Sequence, residues 1–284
     1  MPALLYAFPK SESYLATPPF LGLDGAFYGL ILRNHTADAG IFRLTYQGEF
    51  SWVAPHFATG RVNYGIALMQ ARSGNFYGTL PAGGRAGAGS LYEVTPAGQL
   101  KTLYEFSDSN QGTPETLAEA SDGMLYGTAR GKFATGFDGY SSIFRLNPST
   151  WEFQTIYRFQ NGGVTGECGC SIIQGSDGRL YGTAANGGTY QLGTLFAYDA
   201  GLPPPKPRIA TFRPVTGAVG RKVLLWGHNL LGTTAVDFNG VGTQFEVASG
   251  QAVWAWVPKR ARTGRITITT PKGVFTMNQD FTVQ

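Results

Sequence analysis

The chain has 284 residues, of which 40 are glycine, 14% are charged and 43% are hydrophobic. This composition excludes a disordered chain, and the apolar runs are far shorter than the roughly 18 residues that a membrane-spanning helix needs. The net charge of +4 divides into −3 for residues 1–205 and +7 for residues 206–284, so a mildly acidic body precedes a basic tail. Because a glycine inside a helix costs about 1 kcal/mol, many glycines among aromatic segments favour an all-β fold.

The chain opens with a short apolar strand, Leu5-Tyr6-Ala7-Phe8. No basic segment, apolar stretch and cleavage site follow one another here, so no signal peptide is visible. We expect either a protein that stays inside the cell or one from which a leader has been removed.

Four segments then repeat one pattern, a small turn followed by Tyr-Gly. They are Leu23–Gly29, Ser73–Thr79, Ser121–Thr128 and Ser176–Thr183. Their tyrosines are 49, 49 and 55 residues apart, and each segment is followed by an aromatic strand. A period of about 40 to 50 residues with about four short strands is typical of β-propeller blades. A parallel β-helix, whose coils are much shorter, is the weaker alternative.

The fourth repeat reaches Leu195-Phe196 and lacks a last strand. At the other end of the chain, 20 residues separate Phe8 from Tyr28, as they separate Phe57 from Tyr77. The sequence therefore predicts that Leu5–Phe8 completes the fourth blade, which would leave no open sheet edge. Residues 1–200 would then form a four-bladed β-propeller closed by the N-terminal strand.

The repeated tyrosines and aspartates have structural explanations. We expect Tyr28, Tyr77, Tyr126 and Tyr181 to pack in the core or between blades. Asp24, Asp122 and Asp177 resemble calcium ligands in isolation, but the second repeat has Ser73-Gly74 at that place, and turn chemistry explains them better. No metal site and no cofactor are expected.

The best copy of the repeat, Ser176–Thr183 with Gly187-Gly188 and Gly193–Phe196, carries a family resemblance. It resembles the tandem GloVer repeat family, and the resemblance covers about residues 1–200. The family is found mostly in exported, surface-associated bacterial proteins, so the resemblance implies an extracellular or surface location. It implies little about chemistry.

Residues 201–207 form a stiff proline-rich linker, and residues 208–284 are similar to an IPT/TIG domain. The similarity rests on Pro207–Pro214, Gly227–Leu230 and Val236–Gly240. It implies an immunoglobulin-like β-sandwich of the kind that serves as a spacer or interaction module. It supplies no catalytic residue.

The loops on one rim of the predicted propeller collect the scarce polar side chains. The candidate ligand-binding residues are Tyr14, Arg33, His35, Tyr64, Arg85, Asn110, Lys132, Asp138, Tyr140 and Tyr190. Tyrosines and amides meeting charges of both signs suit a sugar or another polar ligand. The plain alternative is that loops are polar in any protein.

Catalysis is a further alternative at the same rim. His35 and Tyr140, with Arg33 or Lys132, would suit a polysaccharide lyase, in which a base removes the proton beside a uronate carboxylate and a cation neutralises that carboxylate. A hydrolase would need two facing carboxylates, and no spacing selects a pair.

The predicted sandwich contains the alternating strand Val253–Val257. If Val253, Ala255 and Val257 face the core, Trp254 and Trp256 stand on the outer face, either as a docking surface or as the contact with the propeller. Lys259, Arg260 and Arg262 come next in the chain as a basic cluster, in a solvated loop or against an anionic polymer. Nucleic acid is a less favoured partner, because no groove-reading motif accompanies the charge.

The preferred function is non-catalytic recognition or adhesion, with a glycan or other surface polymer as partner and a possible protein partner at the basic domain. A polysaccharide-cleaving enzyme is second, and a structural assembly protein is third. Insertion into a membrane is not expected. Cys168 and Cys170 lie too close together for an easy unstrained disulfide, and whether they are bridged stays open.

Overall fold

The computed structural model describes residues 4–8, 14–15, 17–32, 38–58, 67–107, 112–130, 141–159, 168–184, 187–190 and 192–284. These residues fall into two compact units, the first reaching to Leu202 and the second made of Pro203–Gln284 together with Leu23–Gly25. All the regular elements in the described ranges are β-strands, and none of those ranges holds a helix long and apolar enough to cross a membrane. The fold is all-β.

The first unit consists of short strands that follow the sequence repeats. In chain order the described strands are β1 (Tyr14–Leu15), β2 (Phe20–Leu21), β3 (Phe27–Leu32), β4 (Asp38–Leu44), β5 (Phe50–Ala58), β6 (Leu68–Gln70), β7 (Phe76–Leu80), β8 (Ser90–Val94), β9 (Leu100–Glu105), β10 (Thr113–Glu119), β11 (Leu125–Arg130), β12 (Ser142–Leu146), β13 (Phe153–Arg158), β14 (Cys168–Gln174), β15 (Leu180–Ala184) and β16 (Thr194–Tyr198).

These strands form consecutive antiparallel sheets, one for each repeat. Sheet 1 has the order β1-β3-β4-β5 with β2 also paired to β3, sheet 2 is β6-β7-β8-β9, sheet 3 is β10-β11-β12-β13 and sheet 4 is β14-β15-β16. Each Tyr-Gly motif lies on the central strand β3, β7, β11 or β15. The unit is therefore a propeller-like repeat of small sheets.

The glycine of each Tyr-Gly pair lies opposite an aromatic residue of the next strand. The pairs are Gly29 with Phe42, Gly78 with Tyr92, Gly127 with Phe144 and Gly182 with Phe196. At each glycine an added Cβ would collide with the ring opposite. The motif needs glycine because an aromatic ring occupies the space of the missing side chain.

The aspartate in the turn before the motif is structural. Asp122 accepts a hydrogen bond from the backbone N–H of Met124 at 3.1 Å and one from the hydroxyl of Tyr126 at 2.9 Å. Burial and the bond to Asp122 raise the pKa of Tyr126 to about 12. Asp177 and Tyr181 repeat the arrangement, with 2.7 Å between carboxylate and hydroxyl. The aspartate thus closes the turn and fixes the tyrosine.

Sheets 1, 2 and 3 each bury one face against the next sheet. Ile41, Leu91 and Ile143 occupy equivalent positions on these faces, and each is fully buried. The predicted packing of the repeated tyrosines holds for Tyr28, Tyr77 and Tyr126, which are also buried. Tyr181 differs from this prediction, being only half-buried. The difference arises because sheet 4 has no following sheet within the described part of the chain.

Residues 4–8 adopt no strand, and sheet 4 has three strands among the described residues, so the predicted backbone pairing of Leu5–Phe8 is not seen there. These residues instead pack on sheet 1. The ring of Tyr6 stacks on Phe50 with centroids 4.8 Å apart, and Phe8 meets Phe42 edge-on at 5.5 Å. Cys168 and Cys170 lie on β14, but their side chains are outside the described part.

The second unit contains the remaining described strands. They are β17 (Arg208–Arg213), β18 (Thr216–Gly217), β19 (Lys222–His228), β20 (Ala235–Phe238), β21 (Val241–Gly242), β22 (Phe245–Ser249), β23 (Ala252–Trp256), β24 (Gly264–Thr270) and β25 (Gly273–Val283). Sheet 5 has the order β17-β19-β23-β22, and sheet 6 has the order β18-β25-β24-β20-β21. One hydrophobic core, which includes Phe212, Val253, Ile268 and Phe281, lies between them.

Candidate binding face

The strand β23 alternates between the core and the outer face of sheet 5. Val253 and Ala255 are fully buried, and Val257 is 2% exposed. Trp254 and Trp256 alternate with them and are half-buried. The predicted alternation is confirmed, and both indoles stand on the side of sheet 5 that faces away from the core.

The neighbouring strand β19 follows the same rule. Val223 and Leu225 are fully buried in the core, which places Lys222, Leu224 and Trp226 on the outer face. Trp226 is 39% exposed, a large value for an indole. Sequence reasoning missed Trp226, although the alternation from Lys222 to His228 would have revealed it.

The register of the two strands brings these side chains together. Trp254 lies opposite Leu224, Trp256 opposite Lys222 and Trp226 opposite Ala252. Since opposite and diagonal neighbours on one face of a sheet are within reach of aromatic side chains, the three indoles share one patch. We call the patch formed by Lys222, Leu224, Trp226, Trp254 and Trp256 the tryptophan face.

Lys222 joins two of the indoles. Its Nζ lies 4.6 Å from the centroid of the Trp254 ring and 4.8 Å from that of Trp256. The same Nζ lies 3.5 Å from Oε2 of Glu246 on β22. A cation this close to an aromatic ring at an exposed site contributes about 0.5–1 kcal/mol, so Lys222 favours one arrangement of both rings.

Positive charge follows β23 in the chain. Lys259, Arg260 and Arg262 are all exposed, and they come shortly after Trp256. Within the described ranges none of the three forms an ion pair, and Lys222 is paired only with Glu246. His228 adds no charge at pH 7, because burial and the nearby Arg208 lower its pKa. The second unit thus carries both an aromatic face and exposed cations available to an anionic partner.

A polar depression of about 450 Å³ lies on sheet 6. Its lining includes Arg265 and Asp280, which are opposite each other in register, and the hydroxyls of Thr267 and Thr276, which are 3.0 Å apart. No aromatic residue lines it. Because no aromatic ring lines the depression and its two threonine hydroxyls bond to each other, it offers less to a ligand than the tryptophan face.

Most of the predicted rim site lies outside the described residues. This applies to Arg33, His35, Tyr64, Asn110, Lys132, Asp138 and Tyr140. Tyr14 lies on β1 opposite Leu32, but its side chain is not among the described ones. Arg85 is exposed with Nε 3.9 Å from Oε2 of Glu105, and Tyr190 is 83% exposed. The described ranges also hold no cluster of three or more potential metal ligands. The rim site stays a prediction.

The repeat decides the family. The family model for the Gloeobacter/Verrucomicrobia repeat matches residues 16–245. The chain belongs to this repeat family. The match runs from β2 through sheet 4 and on into the second unit, and it confirms the repeat-based family that the Tyr-Gly pattern indicates. The IPT/TIG resemblance of residues 208–284 stays a prediction. No curated protein sequence matches the chain.

The solved structures to which the chain is similar share little sequence with it. They include an oligogalacturonate lyase in complex with manganese (10% identity, 90% of this chain and 69% of that chain, TM-score 0.46). A Penicillium chrysogenum α-L-arabinanase complexed with arabinobiose has 11% identity, 84% and 75% coverage and a TM-score of 0.42. A fungal alcohol oxidase in complex with copper has 12% identity and a TM-score of 0.40; 89% of this chain aligns with it but spans only 61% of its length. At these identities none of the three bears on what this chain binds.

Proposed function

We propose that this protein is a non-catalytic recognition module and that its second unit binds an acidic polysaccharide through the tryptophan face. One observation carries the proposal, namely the grouping of Trp226, Trp254 and Trp256 on the outer face of one sheet. The chain has five tryptophans, so most of them lie in this patch. Monomeric proteins rarely leave such large apolar rings grouped at the surface without a partner.

A polysaccharide suits both the tryptophan face and the exposed cations of the second unit. The apolar side of a sugar ring packs on an indole, and aromatic side chains bury a large area with little loss of conformational freedom. Carboxylates or sulfates on the same polymer would meet Lys259, Arg260 and Arg262, which form no ion pair within the described ranges. A neutral glycan would use the rings alone, so the cations favour an acidic one.

Two finer features of the fold belong to the same proposal. The single core between sheets 5 and 6 supports an immunoglobulin-like sandwich for residues 208–284. The packing of Tyr6 and Phe8 supports a role for residues 4–8 as the last strand of the blade that precedes sheet 1. Tyr104 on β9 and Phe106 just after it are the equivalent pair in sheet 2. They pack on sheet 3 in the same way, with Tyr104 stacked on Phe153 and Phe106 edge-on to Phe144.

The test is a binding assay on the full chain. Probes are polygalacturonate as the acidic polysaccharide, a neutral glucan and single-stranded DNA. We expect binding to polygalacturonate, and we expect Trp254→Ala to weaken it by about 5- to 30-fold, which corresponds to about 1–2 kcal/mol. The matched control is Trp151→Ala, because Trp151 is also exposed (43%) and carries the Nζ of Lys101 3.6 Å above its ring.

The charges are tested by replacing Lys259, Arg260 and Arg262 together with glutamine. We expect this variant to lose affinity mainly at low salt, since exposed charges are screened at high salt. Three results would contradict the proposal: tighter binding of DNA than of polygalacturonate, unchanged affinity in Trp254→Ala, or ultraviolet-absorbing unsaturated products. The last result would indicate the lyase whose candidate residues lie outside the described ranges.

A further inference from the structure

Sheet 4 exposes the face that the other sheets bury. Leu195 on β16 is equivalent in the repeat to Ile41, Leu91 and Ile143, which are fully buried, yet Leu195 is 75% exposed. Ile173 on β14 belongs to the same sheet and is 60% exposed. Tyr181 on the central strand is half-buried, unlike its three equivalents. An apolar surface that the repeat covers in sheets 1, 2 and 3 is thus open in sheet 4.

Sheet 1 carries the complement of that surface. In sheets 2 and 3 the opposite face, with Tyr92 or Phe144, packs against the preceding sheet. The corresponding face of sheet 1, with Phe42, Leu44 and Ile31, packs only against residues of its own sheet and the N-terminal Tyr6 and Phe8, within the part of the chain that the structure describes. Where sheets 2 and 3 pack against a whole preceding sheet, sheet 1 therefore packs only against residues 4–8 in the described part of the chain.

Residues 4–8 make the contacts that we expect of one strand of that preceding sheet. The edge-on contact of Phe8 with Phe42 is 5.5 Å at 67°, and that of Phe106 with Phe144 is 5.6 Å at 68°. The turn at Gly48 approaches the carbonyl of Leu5, just as the equivalent turn at Gly98 approaches the carbonyl of Val53. Two independent contacts thus match those of internal junctions.

The segment 4–8 lacks the neighbouring strands of a sheet. Leu5 is 48% exposed, whereas its equivalent Leu103, on β9 beside β8, is 7% exposed. Among the described residues β16 is an edge strand of sheet 4, while its equivalents β4, β8 and β12 each pair with a further strand. The segment that lacks a sheet therefore complements the sheet that lacks a last strand.

We propose that sheet 4 of one copy docks on residues 4–8 and sheet 1 of a second copy. In the part of the chain that the structure describes, Leu195 and Ile173 of sheet 4 stay exposed, and the segment 4–8 is the one element besides sheet 1 itself that packs on the facing surface of sheet 1, so the occupant that fits is another molecule with the same repeat. The contact is head-to-tail, and such contacts form a ring when the rotation closes. Two copies would bring eight sheets together, which is within the size range of known propellers.

The junction between copies is weaker than the internal ones. The backbone N–H of Arg72 donates to Glu119 of the next sheet at 2.8 Å, and that of Ser121 donates to Gln174 at 2.8 Å. Sheet 1 has Leu21 at the position of Glu119 and Gln174, and a leucine side chain cannot accept this bond. We therefore expect a reversible association that depends on concentration.

The test is light scattering coupled to gel filtration of the full chain over a range of concentrations. We expect the mass to rise from 30.5 kDa toward twice that value. Leu195→Glu should keep the protein at the lower mass, since it charges an exposed side chain of the interface without touching the core of the chain. The matched control is Leu231→Glu in the second unit, where Leu231 is 67% exposed, and it should leave the association unchanged.

A mixing experiment separates this arrangement from closure within one chain. Leu195→Glu damages the sheet 4 side, and Leu5→Glu damages the sheet 1 side. Each variant alone should stay monomeric, but an equal mixture retains one intact junction and should regain dimer at high concentration. A monomeric wild-type protein at all concentrations, or a mixture that stays monomeric, would overturn the proposal.

Discussion

Tyr92 breaks a pattern that the other repeats keep. The residue opposite the motif glycine is Phe42, Phe144 or Phe196 in sheets 1, 3 and 4, but tyrosine in sheet 2. The Tyr92 side chain is 1% exposed, and its hydroxyl has no hydrogen-bond partner within the described residues. Burial also raises the pKa of that hydroxyl, so it stays neutral. We predict that Tyr92→Phe stabilises the first unit.

The magnitude follows from the cost of an unpaired polar group. A buried hydroxyl without a partner costs about 1–3 kcal/mol, and the lost packing of one oxygen offsets a few tenths of that. We therefore expect the free energy of unfolding to rise by about 1–2 kcal/mol. For a unit of about 200 residues this corresponds to an increase of about 2–8 °C in the midpoint temperature. Scanning calorimetry can follow the transition of the first unit separately from that of the second.

The reciprocal variant is the control. Phe144→Tyr adds a hydroxyl at the equivalent position of sheet 3, where the ring tip already fills the space beside Gly127. We expect a loss of about 1–3 kcal/mol from overpacking and desolvation. A Tyr92→Phe variant that is less stable than the wild type would refute the reasoning, because it would mean that the Tyr92 hydroxyl makes a bond that phenylalanine loses.

Two further predictions concern the same unit. Gly127→Ala should lower the free energy of unfolding by about 1–3 kcal/mol, since the new Cβ would meet both the Phe144 ring and the carbonyl of Thr116. In a denaturation curve the double variant Gly127→Ala/Phe144→Leu should lose less stability than the sum of its two single variants. Additive losses would contradict the prediction. Burial raises the pKa of the Glu115 carboxyl despite its ion pair with Arg130. The folded protein therefore keeps Glu115 protonated at pH values where the unfolded chain has released the proton. As a result, the free energy of unfolding falls as the pH rises between the two pKa values. Glu115→Gln should lack that fall in stability. In urea denaturation from about pH 4 to pH 8, the midpoint of Glu115→Gln minus that of the wild type should therefore grow with pH. A difference between the two midpoints that stays constant would contradict the prediction.

The repeat could be predicted because its cause is local. Each Tyr-Gly pair reflects a contact with an aromatic residue a short way along the chain, as between Gly29 and Phe42 or between Gly78 and Tyr92. Strand alternation is local too, which is why Val253 and Ala255 correctly placed Trp254 and Trp256 on the outer face. Trp226 was overlooked, although the alternation of its own strand is equally visible in the sequence.

Contacts between sheets were beyond sequence reasoning. The hydrogen bond from Arg72 to Glu119 spans 47 positions, and although Gln70, Glu119 and Gln174 recur at one position of the repeat, the sequence does not reveal which backbone N–H they accept from. The exposure of Leu195 depends on whether another sheet covers sheet 4, and its sequence is like that of its buried equivalents. The rim residues such as His35 and Tyr140 were chosen from loops, whose geometry is set by neither alternation nor period, and they lie outside the described ranges.

The equivalence of successive junctions in the first unit has an evolutionary consequence. Because each repeat carries both the surface that receives the previous sheet and the surface that receives the next, duplicating or deleting a whole repeat leaves every remaining junction intact. Loss of half a repeat would instead separate a glycine from its aromatic partner. Related proteins should therefore differ in length by steps of about 50 residues, the size of one repeat, and the number of sheets can change while the sequence of each one is kept.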